Sequence, residues 1–369
     1  MAKAPHLTEP DGDYQTLHEF VRDARQRLPD NIWDYLIGAT ETETTMRRNR
    51  LALDQIALRP RVCRDVSAVD CTTSLFGMRM RLPVMLAPVG SLESFDQGGA
   101  ATAARGAASF GVPIVVSSVT KPELEETAQA SDGPRIFQLY VRGDDAWTDD
   151  YVRRAASAGY NAFCITVDTA SYSRRERDIA RRFIKPWRAS ATGIEHQAAF
   201  NWDNVKHYKD RHSLPLILKG IATAEDAAIA CEHGVDCVYV SNHGGRQLDH
   251  GRGAMEMMPD VVEAVAGRAR IVVDGGFSRG TDIVKALALG ADAVGIGRLY
   301  CYALAAAGAA GVVRALELLE TEMAIAMALL GVTQPSDLGR SHVCAAQSVT
   351  VPHVLSAFPL LAPTPEMLR

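Results

Sequence analysis

The run RIVVDGGFSRGTDIVKALALGADAVGIGR, residues 270–298, decides the fold. Its two aliphatic runs, 270–274 and 293–297, read as buried strands, the first followed by a glycine pair and the second ending in glycine, and TDIVKALALG between them has helical spacing. A strand, a glycine-rich turn, a helix and a second strand in one short span form a βα unit with parallel strands. The same grammar stands one unit upstream, where TAEDAAIACEH leads into GVDCVYVSN; Gly234 and Gly290 are 56 residues apart. Two consecutive βα units account for such an interval, so the echo lies inside one architecture and does not mark separate domains. Moving outward, further β-branched or aliphatic runs occur at 83–87, 112–117, 135–140, 162–168, 215–219 and 236–241, each followed by a polar loop and a helical stretch. That makes eight strands alternating with helices. Continuous apolar strands need cover on the outer face, and eight of them favour closure into an α/β (β/α)₈ TIM barrel with an N-terminal helical extension.

The flanks complete the organisation. Tyr14 to about Leu58 carries LHEFVRDARQRL, NIWDYLIG and ETTMRRNRLALDQI, which predict three short helices. No linker interrupts the chain, so residues 1–369 read as one domain: an N-terminal helical segment over 1–81, the barrel over 82–330 and an apolar, proline-rich tail over 331–369 that packs on the barrel or on a partner subunit. The alanine-rich stretch around 299–313 reads as a buried helix, too short for the roughly 20 residues a membrane crossing needs.

Composition narrows the function. The chain holds 39 basic and 44 acidic side chains, a net −5, and lacks the concentrated positive field that nucleic-acid binding requires. Seven scattered cysteines with no C-x-x-C pair suggest neither a disulfide framework nor a zinc site. With no apolar leader at the N-terminus, the expectation is a cytoplasmic protein that neither enters a membrane nor binds nucleic acid.

In a barrel of this kind the active site lies at the C-terminal ends of the strands. There the sequence places Gln138 and Tyr140, Thr166 and Asp168, Lys219, the run Ser241-Asn242-His243-Gly244-Gly245-Arg246, Asp274-Gly275-Gly276 and Gly297-Arg298. Glycine loops after the seventh and eighth strands are the recurrent phosphate site, because glycine lets backbone N–H groups approach an anion; Arg298 and Arg279 would add charge. Lys219, a cation at the end of an aliphatic strand, needs an anionic partner. His243 beside Arg246 fits a base with an anion clamp, and Asp168 can hold the imidazole's other nitrogen. The run 173–188 carries seven basic residues, most of them a solvated face; Arg175, nearest the rim, is the candidate to bind a substrate carboxylate.

These motifs carry a resemblance. SNHGGRQLD (241–249), LPLILKG (214–220), VDGGFSRGTDIVKALALGADAVGIGR (273–298), FQLY (137–140) and TVDT with SRRERD (166–178) resemble the FMN-dependent α-hydroxy acid oxidase and dehydrogenase family, of which glycolate oxidase, lactate oxidase and mandelate dehydrogenase are members. The resemblance runs from LPDNIWDYLIGA (28–39) to RSHV (340–343). It implies that His243 is the base and Asp168 its partner, that Arg175 and Arg246 hold the substrate carboxylate, and that Tyr35 and Tyr140 bond the carboxylate and the reacting hydroxyl. It places Lys219 beside the flavin's N1 and O2, with flavin contacts at Ala87, Pro88, Val89, Ser117, Gln138, Thr166 and Ser241. Ribityl and phosphate contacts then fall to Asp274, Gly275, Gly276, Gly297 and Arg298, with Arg279 as a further candidate.

Three departures are visible. Ser278 stands where the family pattern D-G-G-x-R-R-G has an arginine, which weakens the phosphate's charge complement. Val119 replaces a tryptophan of glycolate oxidase, which leaves room for a larger or aromatic substrate. The segment between Asp178 and Leu214 is short for the family's fourth loop, which reduces the lid. The reading is oxidation of an (S)-2-hydroxy acid to the 2-oxo acid, with electrons passing to FMN and then to oxygen or another acceptor, in a homotetramer by family analogy. The alternatives are the same scaffold working on a larger hydroxy or amino acid, including by oxidative decarboxylation, and a flavin-binding protein without turnover.

Overall fold

The computed structural model describes residues 13–189 and 191–361. Eight parallel strands close into a barrel, with the last pairing back onto the first: β1 (Val84–Leu86), β2 (Ile114–Ser117), β3 (Arg135–Leu139), β4 (Ala162–Thr166), β5 (Leu216–Ile221), β6 (Cys237–Val240), β7 (Arg270–Asp274) and β8 (Ala293–Ile296). Every aliphatic run expected to be a strand is one. Most are shorter than expected by a residue or two, because the polar residues at their C-terminal ends turn out into the loops that build the site.

Along each strand alternate side chains point inward. Met85, Val115, Ile136, Cys164, Ile217, Tyr239, Val272 and Ala293 form the apolar barrel interior. Two residues further along the same faces stand Ala87, Ser117, Gln138, Thr166, Lys219, Ser241, Asp274 and Gly295. The interior therefore turns polar within one layer, at the C-terminal end. Its other end is closed by an antiparallel hairpin, Thr73–Leu75 with Met78–Met80, whose Leu75, Met78 and Met80 join the interior cluster. This hairpin was not foreseen in the N-terminal segment, and neither was Ile56–Leu58, which pairs antiparallel with Val343–Ala345.

The three expected N-terminal helices are present as α1 (Leu17–Arg27), α2 (Asp30–Ile37) and α3 (Thr44–Asp54). At the start of α1 the Glu19 carboxylate accepts from the Thr16 N–H at 2.8 Å, which satisfies a donor the helix leaves free. The alanine-rich stretch corrects the expectation: the helix runs over Arg298–Leu330, 33 residues, long and apolar enough to cross a membrane by composition. Of its most apolar window 67% is buried, and the helix packs on α1 and on helices Gly99–Phe110 and Gly280–Ala288. Non-helical backbone at Ala307 and Gly308 breaks it in two. The tail packs inward as well: Leu355 and Phe358 are buried, and Phe358 meets the rings of Tyr302 and His18 edge-on.

Candidate active site

A cleft of about 1200 Å³, its open mouth included, occupies the C-terminal end of the barrel. Of the residues singled out from sequence, Tyr35, Ala87, Pro88, Val89, Tyr140, Arg175, Lys219, His243, Arg246, Asp274, Gly275, Gly276, Gly297 and Arg298 line it. Asp168, Ser117, Gln138, Thr166 and Ser241 stand behind this wall and support it. The imidazole and both guanidinium groups share one cavity.

His243 leaves β6 in a left-handed conformation, φ +60°, which is strained for a residue with a side chain. The Asn242 side chain accepts from the Gly245 N–H at 3.0 Å, and the Ser241 hydroxyl accepts from the His243 N–H at 3.0 Å; together they hold this turn. His243 Nδ1 lies 3.1 Å from Asp168 Oδ1, and its Nε2 lies 3.1 Å from the Tyr140 hydroxyl. Burial pushes the imidazole below its usual range, and the nearby Lys219 and Arg175 push the same way against Asp168. Burial opposes the charge on Asp168, yet His243 and Lys219 hold its carboxyl below the ordinary value. The resting pair is therefore a carboxylate and a neutral imidazole, whose Nδ1–H donates to Asp168 and whose Nε2 lone pair faces Tyr140. Gly220 makes the approach possible: at φ +111°, a Cβ there would stand 2.6 Å from the Asp168 Cβ.

Arg175 and Arg246 present charge to the cavity with no carboxylate partner among the described residues. The Arg175 side chain makes one long hydrogen bond, to Ser173 Oγ at 3.4 Å. Arg246 donates to the Tyr35 and Leu36 carbonyls at the end of α2, and its guanidinium lies 5.0 Å from the Tyr35 ring centroid. The Tyr35 hydroxyl donates to the Gly90 carbonyl at 2.8 Å and braces the cleft wall.

The anionic partner expected of Lys219 is supplied by the chain itself. Its Nζ bonds Ser241 Oγ at 3.0 Å and lies 3.6 Å from Asp274 Oδ2, while Ser241 Oγ donates to Asp274 Oδ1 at 2.6 Å. Burial disfavours the ammonium, but Asp274 and Asp168 raise its pKa and keep it charged.

Two buried groups behind the cleft wall have no partner among the described residues. Gln138 accepts from the Ser117 hydroxyl through Oε1 at 2.7 Å, which leaves its Nε2 unpaired, and the Thr166 hydroxyl is also unpaired. Both side chains are fully buried. Buried polar atoms are almost always satisfied, so this amide and hydroxyl, beside the Lys219 ammonium, imply a ligand with acceptors and donors along one edge. The pyrimidine edge of a flavin has that pattern.

At the other end, Gly275 and Gly276 take φ +111° and +86°, a conformation open to glycine that leaves their backbone facing the cleft. Arg298 donates to the carbonyls of Leu36, Gly244 and Gly38 at 3.2, 3.1 and 2.7 Å, and burial lowers its pKa to about 10. A cation held only by carbonyls is completed by an anion. Arg279 does not join it. Its guanidinium pairs with Glu322 at 2.5 Å outside the cleft, a correction to its expected role at the phosphate.

Four of the wall residues that escaped the sequence reading are Asn49, Arg50, Trp187 and His353. Asn49 and Arg50 come from α3: Asn49 exchanges amide hydrogen bonds with Asn242 at 2.9 and 2.7 Å, and Arg50 pairs bidentately with Asp282. A helical period assigned α3 correctly but could not say which face met the glycine loops. Trp187 comes from a short helix, Pro186–Ala189, inside the segment expected to be a reduced lid. It takes back part of the room Val119 leaves: both side chains approach the position a Gly90 Cβ would occupy, at 3.6 and 2.9 Å. Arg142 lies over its ring at 4.8 Å, and Lys185 anchors the segment through Asp178 at 2.5 Å and the Tyr172 hydroxyl. The fourth, His353, comes from the tail.

Residues 24–345 match the model of the FMN-dependent dehydrogenase family. The chain is 38% identical over 354 residues to glycolate oxidase 5 of Oryza sativa subsp. japonica, covering 90% of this chain and 96% of the relative. It is 38% identical over 352 residues to L-lactate oxidase of a Nostoc species, covering 88% and 96%. A crystal structure of mandelate oxidase superposes with a TM-score of 0.85 at 38% identity, covering 91% of this chain and all of that one. Another mandelate oxidase structure, which holds a C4a-OH-FMN adduct, superposes with a TM-score of 0.82 at 38% identity, covering 90% and 100%.

Proposed function

Because the chain belongs to the FMN-dependent dehydrogenase family and FMN is its cofactor, we propose that this enzyme oxidises an (S)-2-hydroxy acid to the 2-oxo acid through His243, with oxygen or another acceptor taking the electrons. The observation that carries the reading is the chain Asp168–His243–Tyr140, with 3.1 Å at each imidazole nitrogen, set beside two arginines without carboxylate partners among the described residues. When bound, FMN would supply the acceptor for the substrate's two electrons and for one of its two protons. Gln138, Thr166, Lys219 and Arg298 are the residues suited to hold it.

Arg175 and Arg246 fix the substrate carboxylate, and such a clamp also orients the adjacent carbon. The Tyr140 hydroxyl bonds the substrate hydroxyl. Oxidation removes two electrons and two protons from the hydroxy acid; His243 Nε2 accepts one of these protons. Asp168 then faces an imidazolium across Nδ1 and stabilises it, as an orienting carboxylate does in base catalysis. Lys219 offers a fixed positive charge where negative charge develops, ready before the reaction begins.

The test is anaerobic bleaching of the flavin by glycolate, lactate, mandelate and longer 2-hydroxy acids. The wild-type chain is expected to bleach with at least one of them, and His243→Ala to keep its yellow flavin and lose the bleaching. Equal bleaching by the two proteins would remove His243 from the role of base.

A further inference from the structure

At the end of the cleft formed by the loops after β7 and β8, the donors available to a phosphate are few. Ser278 is short, and its hydroxyl lies 3.4 Å from the Gly276 carbonyl. Arg279 is turned to Glu322. Arg50 lines the cleft, but its five N–H groups are committed to Asp54, Asp282 and the Gly276 carbonyl. Arg298 gives three of its five to carbonyls and keeps two. A dianionic phosphate accepts more hydrogen bonds than one half-used guanidinium donates.

Two further groups reach the cleft, one a helical turn from Arg298 and the other in a segment packed against it. Tyr302, one helical turn beyond Arg298, is 1% exposed and lines the cleft, and its hydroxyl has no partner among the described residues. His353 and Val354 come from the C-terminal segment, beyond residue 345 where the family match stops, and they also line the cleft. The segment is seated by Phe358, whose ring packs edge-on against Tyr302 at 6.5 Å. His353 is itself oriented. Its Nδ1 accepts from the Leu355 N–H at 3.2 Å, and its carbonyl accepts from the Ser356 hydroxyl at 2.8 Å. An Nδ1 used as acceptor leaves the proton on Nε2, so the imidazole presents a donor.

We propose that the C-terminal segment forms the roof of the FMN phosphate site, where His353 Nε2–H and the Tyr302 hydroxyl supply the donors that Ser278 and Arg279 do not. FMN is then held at its phosphate by Arg298 and the glycine loops on one side and by the tail on the other. This inference depends on FMN as cofactor and not on which acid is oxidised.

The test compares FMN with riboflavin, which lacks only the phosphate, by flavin-fluorescence titration of deflavinated protein. His353→Ala is expected to weaken FMN about 10-fold and leave riboflavin within about twofold, the scale of one charge-assisted hydrogen bond. His353→Gln, which keeps a donor, is expected to recover much of the FMN affinity, and Ser278→Arg placed in the His353→Ala protein to recover it by another route. The FMN-to-riboflavin ratio is internal to each protein, so a partly unfolded variant loses capacity without changing the ratio. An unchanged ratio in His353→Ala, whether through equal weakening or through none, overturns the proposal.

Discussion

Arg50 and Asp282, 232 residues apart, form a bidentate pair at 2.8 and 2.9 Å in which the carboxylate is 1% exposed. The pair ties α3 to the helix that follows the Gly275–Gly276 loop, and the same carboxylate accepts from the Ser278 and Arg279 N–H groups at 3.0 Å. Helix α3 is thereby fixed against the glycine loop that lines the cleft.

Removing one partner strands a buried charge. Asp282→Ala is expected to cost about 3–5 kcal/mol by denaturant titration at pH 7. Although burial opposes it, Arg50 and Lys285 hold the Asp282 carboxyl below its ordinary value. Its contribution is thus complete above the unfolded carboxyl pKa of about 3.9 and fades as pH falls through the lower folded value. The gap between wild type and Asp282→Ala should narrow in acid; a gap that widens there would contradict the assignment.

As the proposed base His243 works when neutral, and burial sets its pKa below the ordinary imidazole value of about 6.5. Flavin reduction should therefore keep more than half of its plateau rate at pH 6.5 and fall off further at lower pH. Asp168→Asn removes the carboxylate that raises the imidazole pKa, so the acid limb moves lower still while the plateau drops by about 10²–10⁴. Stopped-flow bleaching across pH reads both effects. A limb that moves upward in this variant would refute the pairing.

Val119 and Trp187 both line the cleft beside Gly90. Val119→Trp should penalise mandelate relative to glycolate by about 1.4–2.7 kcal/mol, or 10- to 100-fold in kcat/KM, through steric exclusion. Trp187→Ala should shift the ratio the other way. Steady-state kinetics with the two acids decides the matter.

Two arginines near the glycine loops should separate cleanly. Arg298→Ala removes a cation that lacks a carboxylate partner and should weaken FMN binding by about 10- to 100-fold. Arg279→Ala breaks a pair with Glu322 outside the cleft and should alter thermal stability while leaving the FMN dissociation constant within about twofold. Flavin titration and melting of both variants give the comparison.

The barrel and most of the site were legible in the chain because both rest on local periods. A two-residue alternation in each strand places Gln138, Thr166, Lys219 and Asp274 on the inward face above Ile136, Cys164, Ile217 and Val272. Glycine pairs mark where the chain must turn toward an anion. The contributions of Asn49, Arg50, Trp187 and His353 were not legible, since a period names a helix face or a loop without naming what it meets. Arg279 shows the converse: beside the glycine loop in sequence, it is carried away by a carboxylate on a distant helix. What the residues alone determined was the order of strands and the chemistry at their ends, because both depend on neighbours two to four positions away. Which cations remain unpaired, and which segment covers the phosphate end, depended on ion pairs and ring contacts between residues tens to hundreds of positions apart. Only the closed barrel brings those groups together.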